Sequence, residues 1–262
     1  MTDAFSRHHT DMQAAFASGD PDQIKAAYRS LGSYLEADAG DDLDRVPVLS
    51  FSETTPVVAA EVPAAAGLVL DAGCGPNPAL AITIGADQRR TVIAFDIGLG
   101  TARLAVAVAQ RAGVGLLGVV GDVERLPFRT GAFDAVVCDD TIEHLPDDRA
   151  GARELRRVTR DHGTVIVATP NRHSLEVLWR KVRDRLRGRR LPASAYYAAA
   201  SHLREYTPKE LGEVLSPALC VQRYSVVGWE RGRKSRLATK LVHLKPFRRF
   251  TRTVVAVTEP TP

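Results

Sequence analysis

Asp140-Thr141-Ile142-Glu143-His144 brings two carboxylates and an imidazole into one short stretch. On a helix starting there, the i, i+3, i+4 spacing puts Asp140, Glu143 and His144 on one face. Hard oxygen ligands with one nitrogen suit a single divalent ion such as magnesium or manganese. Such an ion lowers the pKa of a hydroxyl bound to it. Without a metal, a neutral His144 imidazole accepts a hydroxyl proton directly. Both routes make His144 the first catalytic candidate, with Glu143 beside it.

A second stretch, Leu68–Pro78, is suited to holding a ligand. The apolar run Leu68-Val69-Leu70 stops at Asp71 and breaks into Gly73 and Gly75, with Pro76 and Pro78 behind them. This is how a buried parallel strand hands over to a crossover helix, and the glycines let backbone N–H groups approach a ligand. The next apolar run, Thr91–Asp96, also ends in an acid, 25 residues after Asp71. That is close to the spacing at which a carboxylate on the neighbouring strand reaches a ribose diol. Asp122 follows a third run, where it can hold an adenine amino group, and Phe133–Asp140 is a fourth run that ends in acids.

Alternating strand and helix patterns position these residues. Strands are predicted at 67–71, 92–96, 116–120, 133–138, 163–168, 219–227 and 253–257. Helices are predicted at 78–86, 101–112, 147–160, 174–187 and 209–215, which together indicate an α/β, Rossmann-like, doubly wound sheet. Residues 1–55 form a helical preface to a domain at 56–262, with an insertion at 172–208. Asp20-Pro21 starts a preface helix on which Ile24, Ala27, Tyr28, Leu31 and Leu35 recur at helical spacing. That helix either packs on the sheet edge or forms a lid over a substrate.

The chain has 262 residues, 45% of them hydrophobic and 25% charged, as in an ordinary globular protein. Acids gather at Asp38–Asp44, while basic residues crowd 180–190 and 231–252. Cys74, Cys138 and Cys220 are too few and too scattered for a disulfide framework or a zinc motif. Met1–Met12 lacks the apolar core of a signal peptide, and no apolar run is long enough to span a bilayer. The expected location is therefore the cytoplasm. Leu175, Leu178, Val182 and Leu186 form an apolar stripe backed by arginines. Such a helix lies on an anionic surface or clamps RNA, but more often it caps a core. No aromatic residue lies within the 180–190 run, so nucleic acid is not an expected partner.

Five motifs in order carry a family resemblance: Leu70–Gly75, Phe95-Asp96-Ile97, Gly121–Phe128, Phe133–Leu145 and His162–Asn171. Together they resemble the class I S-adenosylmethionine (SAM)-dependent methyltransferases, in their small-molecule branch. The resemblance implies a seven-stranded sheet whose last strand is antiparallel, with SAM over the strand C-termini. It places Gly73 and Gly75 by the methionine part, Asp96 on the ribose hydroxyls, Asp122 and Val123 on the adenine, and Asp139 by the amino group. Asp71, Cys74 and Ile97 complete the expected cofactor-binding set. Asn77, between two prolines, replaces the third small residue usual in the glycine loop.

The acid-x-x-Glu-His stretch resembles that of metal-assisted O-methyltransferases acting on sugar hydroxyls, including small-RNA terminal 2′-O-methyltransferases. Those use one later histidine, a place filled here by His202. The expected ligand set is therefore Asp140, Glu143, His144 and His202, with Mg2+ as the ion. His202–Tyr206 is similar to a stretch lining the acceptor side in glycan and natural-product methyltransferases; the alternative is a surface pair of Arg204 with Glu205. The expected reaction is O-methylation of a sugar, an oligosaccharide of methylmannose-polysaccharide type, or a related polar metabolite, by a monomer or homodimer. Alternatives are an RNA terminal 2′-O-methyltransferase, a lipid-linked or other natural-product acceptor, and a nicotinamide (NAD)-type Rossmann binding protein.

Overall fold

The computed structural model describes residues 3–39, 54–189, 202–227 and 253–260. Its centre is one seven-stranded sheet. The strands are β1 (Leu68–Ala72), β2 (Thr91–Asp96), β3 (Leu116–Val120), β4 (Phe133–Asp139), β5 (Thr159–Pro170), β6 (Leu219–Val226) and β7 (Thr253–Pro260). Their spatial order is β3-β2-β1-β4-β5-β7-β6. β1 to β5 run parallel, and β7 pairs antiparallel with both β5 and β6. The predicted sheet with its last strand reversed is the one observed.

Both faces of the sheet are buried, and the side chains divide between them with the period of two that a pleated strand imposes. Val69, Ala135, Val137, Ile166 and Ala168 join one apolar layer. Leu70, Val136, Cys138, Val165 and Val167 join the other. The first layer is covered by α3 (Thr55–Glu61), α4 (Ala79–Gly85) and α5 (Leu99–Arg111). The second is covered by α6 (Asp148–Val158) and α8 (Pro208–Leu215). Asp147 caps α6 by accepting from the Ala150 N–H, and Thr207 with Glu210 forms a reciprocal capping box on α8.

Two helices precede this core, α1 (Asp3–Ser18) and α2 (Pro21–Ala39), the latter entered through Asp20-Pro21 as predicted. They share a small apolar cluster of Met12, Ala15 and Ala27, with Phe16, Tyr28 and Leu31 packed against it. α2 lies along α5, and Arg103 pairs with Glu36 across the contact at 3.2 Å.

Three local expectations are corrected. The helix predicted to 160 ends at Val158, because Thr159 already pairs with Phe133 across the sheet. The stripe on α7 (Leu175–Leu186) is not wholly a core face, since Val182 and Leu186 stand exposed together with Trp179. Asp140-Glu143-His144 does not open an α-helix. Asp140 takes a left-handed turn at φ 48°, and Ile142–His144 form a 3₁₀ turn. The acidic run 41–44, Arg190 at the end of the 180–190 basic run and the whole 231–252 run lie outside the described residues.

Candidate active site

A cavity of about 330 Å³ opens where β1, β2 and β4 end. The β1 turn forms its floor. Gly73 and Cys74 both donate N–H bonds to the Phe95 carbonyl, at 2.8 and 2.9 Å, which folds the loop back over β2. Gly73 has φ 92°, and a Cβ there would meet the Thr141 hydroxyl oxygen at 2.2 Å. Thr141 in turn donates to the Gly73 carbonyl at 3.2 Å, so the turns after β1 and β4 interlock at this glycine. Gly75 differs: φ is 61°, and nothing lies within 4 Å of where its Cβ would stand. Its open side keeps the backbone accessible.

The acids divide into cavity wall and buried support. Asp96, Asp122 and Asp140 line the cavity with Ile97, Val123, Gly73 and Gly75. Asp96 accepts from the Gly75 N–H at 3.2 Å and the Gly98 N–H at 2.9 Å, while burial still raises its pKa. Asp71 lies buried beneath the turn, and burial followed by the nearby Asp96 charge raises it to about 7. Cys74 is also buried, and burial pushes its thiol up. Asp139 has a buried Oδ1 with no hydrogen-bond partner among the described residues, and burial and Asp140 raise its pKa well above the carboxylate range. An orphaned carboxylate oxygen of this kind fits an ammonium group on a bound ligand.

α2 supplies the opposite wall through Lys25, Tyr28 and Leu31, residues whose contacts with the pocket no local pattern signals. Lys25 spans Asp122 at 2.8 Å and Glu124 at 2.5 Å. The Tyr28 hydroxyl lies 2.6 Å from His144 Nδ1, and the two rings meet edge to face with centroids 5.3 Å apart. Burial and the Glu143 charge raise the Tyr28 pKa, which keeps the phenol protonated.

Behind His144 stand Glu143 and His202. Glu143 is fully buried and accepts from the Thr169 hydroxyl at 2.9 Å. Burial, then Asp140, holds its pKa well above the usual range. The His144 and His202 rings are 4.8 Å apart. His202 Nδ1 lies 3.4 Å from Glu205, which is itself buried. Arg204 does not pair with Glu205; it donates to the Leu145 and Pro146 carbonyls at 2.7 and 3.1 Å and meets Asp148 at 3.2 Å. Of the four expected metal ligands, Glu143, His144 and His202 are thus brought together, and Asp140 is not part of the cluster.

A family model described as a methyltransferase domain matches residues 70–167. The matched stretch holds the glycine turn, the cavity acids Asp96 and Asp122, and His144. The chain is similar to the demethylmenaquinone methyltransferase of Mycobacterium sp. (strain KMS), at 29% identity over 185 residues covering 63% of this chain and 77% of that one. It is also similar to the demethylmenaquinone methyltransferase of Mycolicibacterium vanbaalenii, at 47% identity over 49 residues. That alignment covers 19% of this chain and spans about a fifth (22%) of the relative's length. A SAM-dependent methyltransferase from Aquifex aeolicus shares the fold, with TM-score 0.57 and 14% identity over 84% of this chain and 98% of that one. The glycine turn, Asp96 and the orphaned Asp139 oxygen at the strand ends fit SAM as a cofactor. Among the described residues, no helix is long and apolar enough to cross a membrane.

Proposed function

We propose that this chain is a SAM-dependent methyltransferase that transfers a methyl group to a hydroxyl oxygen, with a sugar, an oligosaccharide or a related polar metabolite as acceptor and His144 as proton acceptor. The observation that carries this reading is the His144 ring, which lines the cavity with its Nδ1 anchored by Tyr28. As the tautomer that donates from Nδ1, His144 carries its lone pair on Nε2, the form a general base requires. SAM supplies an activated methyl group on its sulfonium, so the protein's own task is alignment and proton removal. Asp96 and Asp122 receive the nucleoside, Gly73 and Gly75 bring backbone N–H groups to its methionine end, and Asp139 meets the amino group. Tyr28 fixes the imidazole, and α2 covers the cavity from which water must be excluded.

A second reading, a lipid-linked acceptor, is supported by two observations. Aligned relatives are named for demethylmenaquinone, and α7 exposes Trp179 and Leu186 among arginines. Labelled-methyl assays with oligosaccharides and a demethylated naphthoquinol as acceptors separate the two. His144→Ala should lower turnover about 100-fold while binding of S-adenosylhomocysteine persists. An undiminished rate in that variant would remove His144 from the mechanism.

A further inference from the structure

The polarity of α7 is inside out. Trp179, Val182 and Leu186 follow one another at three and four residues, which aligns them along one side of the helix. All three are exposed, by 63%, 54% and 83%. Asp184 stands two residues from both Val182 and Leu186, about 200° around the helix, and is only 3% exposed. The apolar stripe therefore faces solvent while the acid faces inward. A helix packed to bury its apolar side within this chain would be turned the other way. Among the described residues, no other helix or strand packs extensively along α7.

The flanks of the stripe are basic. Between positions 180 and 189 stand six arginines or lysines and one acid, the buried Asp184. Arg185, Arg187 and Arg189 are exposed. Arg183 lies over the Trp179 ring, 5.3 Å from its centroid, so a cation sits at the margin of the stripe. Single exposed apolar residues need no partner, but a contiguous stripe bordered by charge marks a binding face. Nucleic acid offers phosphates to the arginines and leaves Val182 and Leu186 uncovered. An anionic lipid surface complements both parts, with phosphate for the guanidinium groups and hydrocarbon for the stripe.

The base of the helix is anchored at the edge of the sheet where the cavity opens. α7 begins just past β5, which ends beside β4. Ser174 caps it by accepting from the Val177 N–H at 3.2 Å, and both Asn171 and Ser174 are buried. The Arg172 N–H donates to the Tyr206 carbonyl at 3.0 Å. That bond ties the entry of α7 to the segment that sets His202 beside His144.

We propose that α7 docks this protein on an anionic phospholipid surface, with Trp179, Val182 and Leu186 seated at the acyl boundary and the flanking arginines on the phosphates. Methylation of an acceptor carried by that surface rests on the lipid-linked reading above; the docking does not.

The test is cosedimentation of the full-length protein with vesicles of phosphatidylcholine alone and of an equimolar mixture with phosphatidylglycerol. Binding to the mixed vesicles alone is expected, and it should weaken as salt is raised. The pair Arg185→Gln and Arg187→Gln should lower partitioning about 30-fold, since each basic residue near an anionic surface contributes about fivefold. The pair Trp179→Ser and Leu186→Ser should lower it at least about tenfold. These side chains are exposed, so circular dichroism and S-adenosylhomocysteine binding of both variants should match the parent. Failure of the parent to bind mixed vesicles while it binds S-adenosylhomocysteine overturns the docking and leaves the methyltransferase reading standing. Equal binding to both kinds of vesicle, or undiminished binding by either variant, also overturns it. Retention of RNA oligonucleotides, or self-association in light scattering, that the same substitutions abolish while vesicles are not bound reassigns the face to nucleic acid or to a second copy. Docking by protein that takes up no S-adenosylhomocysteine overturns the methyltransferase reading alone.

Discussion

Tyr28 and His144, 116 residues apart in sequence, meet at 2.6 Å, so a helix that precedes the sheet touches the residue proposed as proton acceptor. Tyr28→Phe keeps the edge-to-face ring contact and removes the hydrogen bond. A hydrogen bond of this type contributes about 1 to 1.5 kcal/mol, which corresponds to about a tenfold loss in kcat. The KM for SAM should stay unchanged. A fall in SAM affinity instead of kcat would make Tyr28 a cofactor residue and not an anchor for the imidazole.

Gly73 and Gly75 both adopt positive φ but should fail differently when changed to alanine. At Gly73 the new methyl collides with Thr141, so the cost falls on folding, about 1–3 kcal/mol. At Gly75 the space is open, so the fold should lose only about 1 kcal/mol. S-adenosylhomocysteine affinity should drop there by a larger factor. Denaturant melts paired with calorimetry separate the two effects.

Asp71 makes stability depend on pH. Buried beneath the turn, its carboxyl titrates at about 7 in the folded chain and in the ordinary carboxylate range when unfolded. The folded state therefore holds a proton that the unfolded state releases, and the stability this provides is lost as pH rises toward and through 7. Asp71→Asn should melt higher than the parent at pH 8, with the gap shrinking toward pH 5. A gap that is constant across this range would mean that Asp71 is not the titrating group.

Lys25 is the electrostatic link between α2 and the loop after β3. It is raised in pKa: its desolvation is outweighed by hydrogen bonds and charge from Asp122 and Glu124. Its partly exposed pairs are worth about 1 kcal/mol, so Lys25→Met should speed amide exchange in α2 about fivefold. Exchange in the β1 and β4 amides should not change. An unaltered α2 would mean that its apolar contacts alone hold it in place.

The sheet was legible because each apolar run stops at a residue that cannot continue it. Asp96 and Asp139 close β2 and β4, Asp71 stands one residue before the end of β1 between them, and the glycine turn after β1 locates the cavity. What the sequence concealed was non-local. Lys25 carries no motif, and Tyr28 reads only as one position in a helical stripe, yet both reach the cavity from α2. Spacing alone put Asp140, Glu143 and His144 on one helical face, whereas the left-handed turn at Asp140 separates it from the other two. α1 lies within the predicted helical preface, whereas α3, Thr55–Glu61, escaped prediction because it is too short to display a periodicity.

The Arg204 clamp bears on how this protein can diversify. Arg204 grips the chain just after His144 by two carbonyls, and Tyr206 bonds Asp148 at 2.7 Å. These contacts join the segment that carries His202 directly to the turn that carries His144. If His144 takes the acceptor proton as proposed, insertions or deletions between them are expected to alter acceptor preference and to leave the two rings side by side.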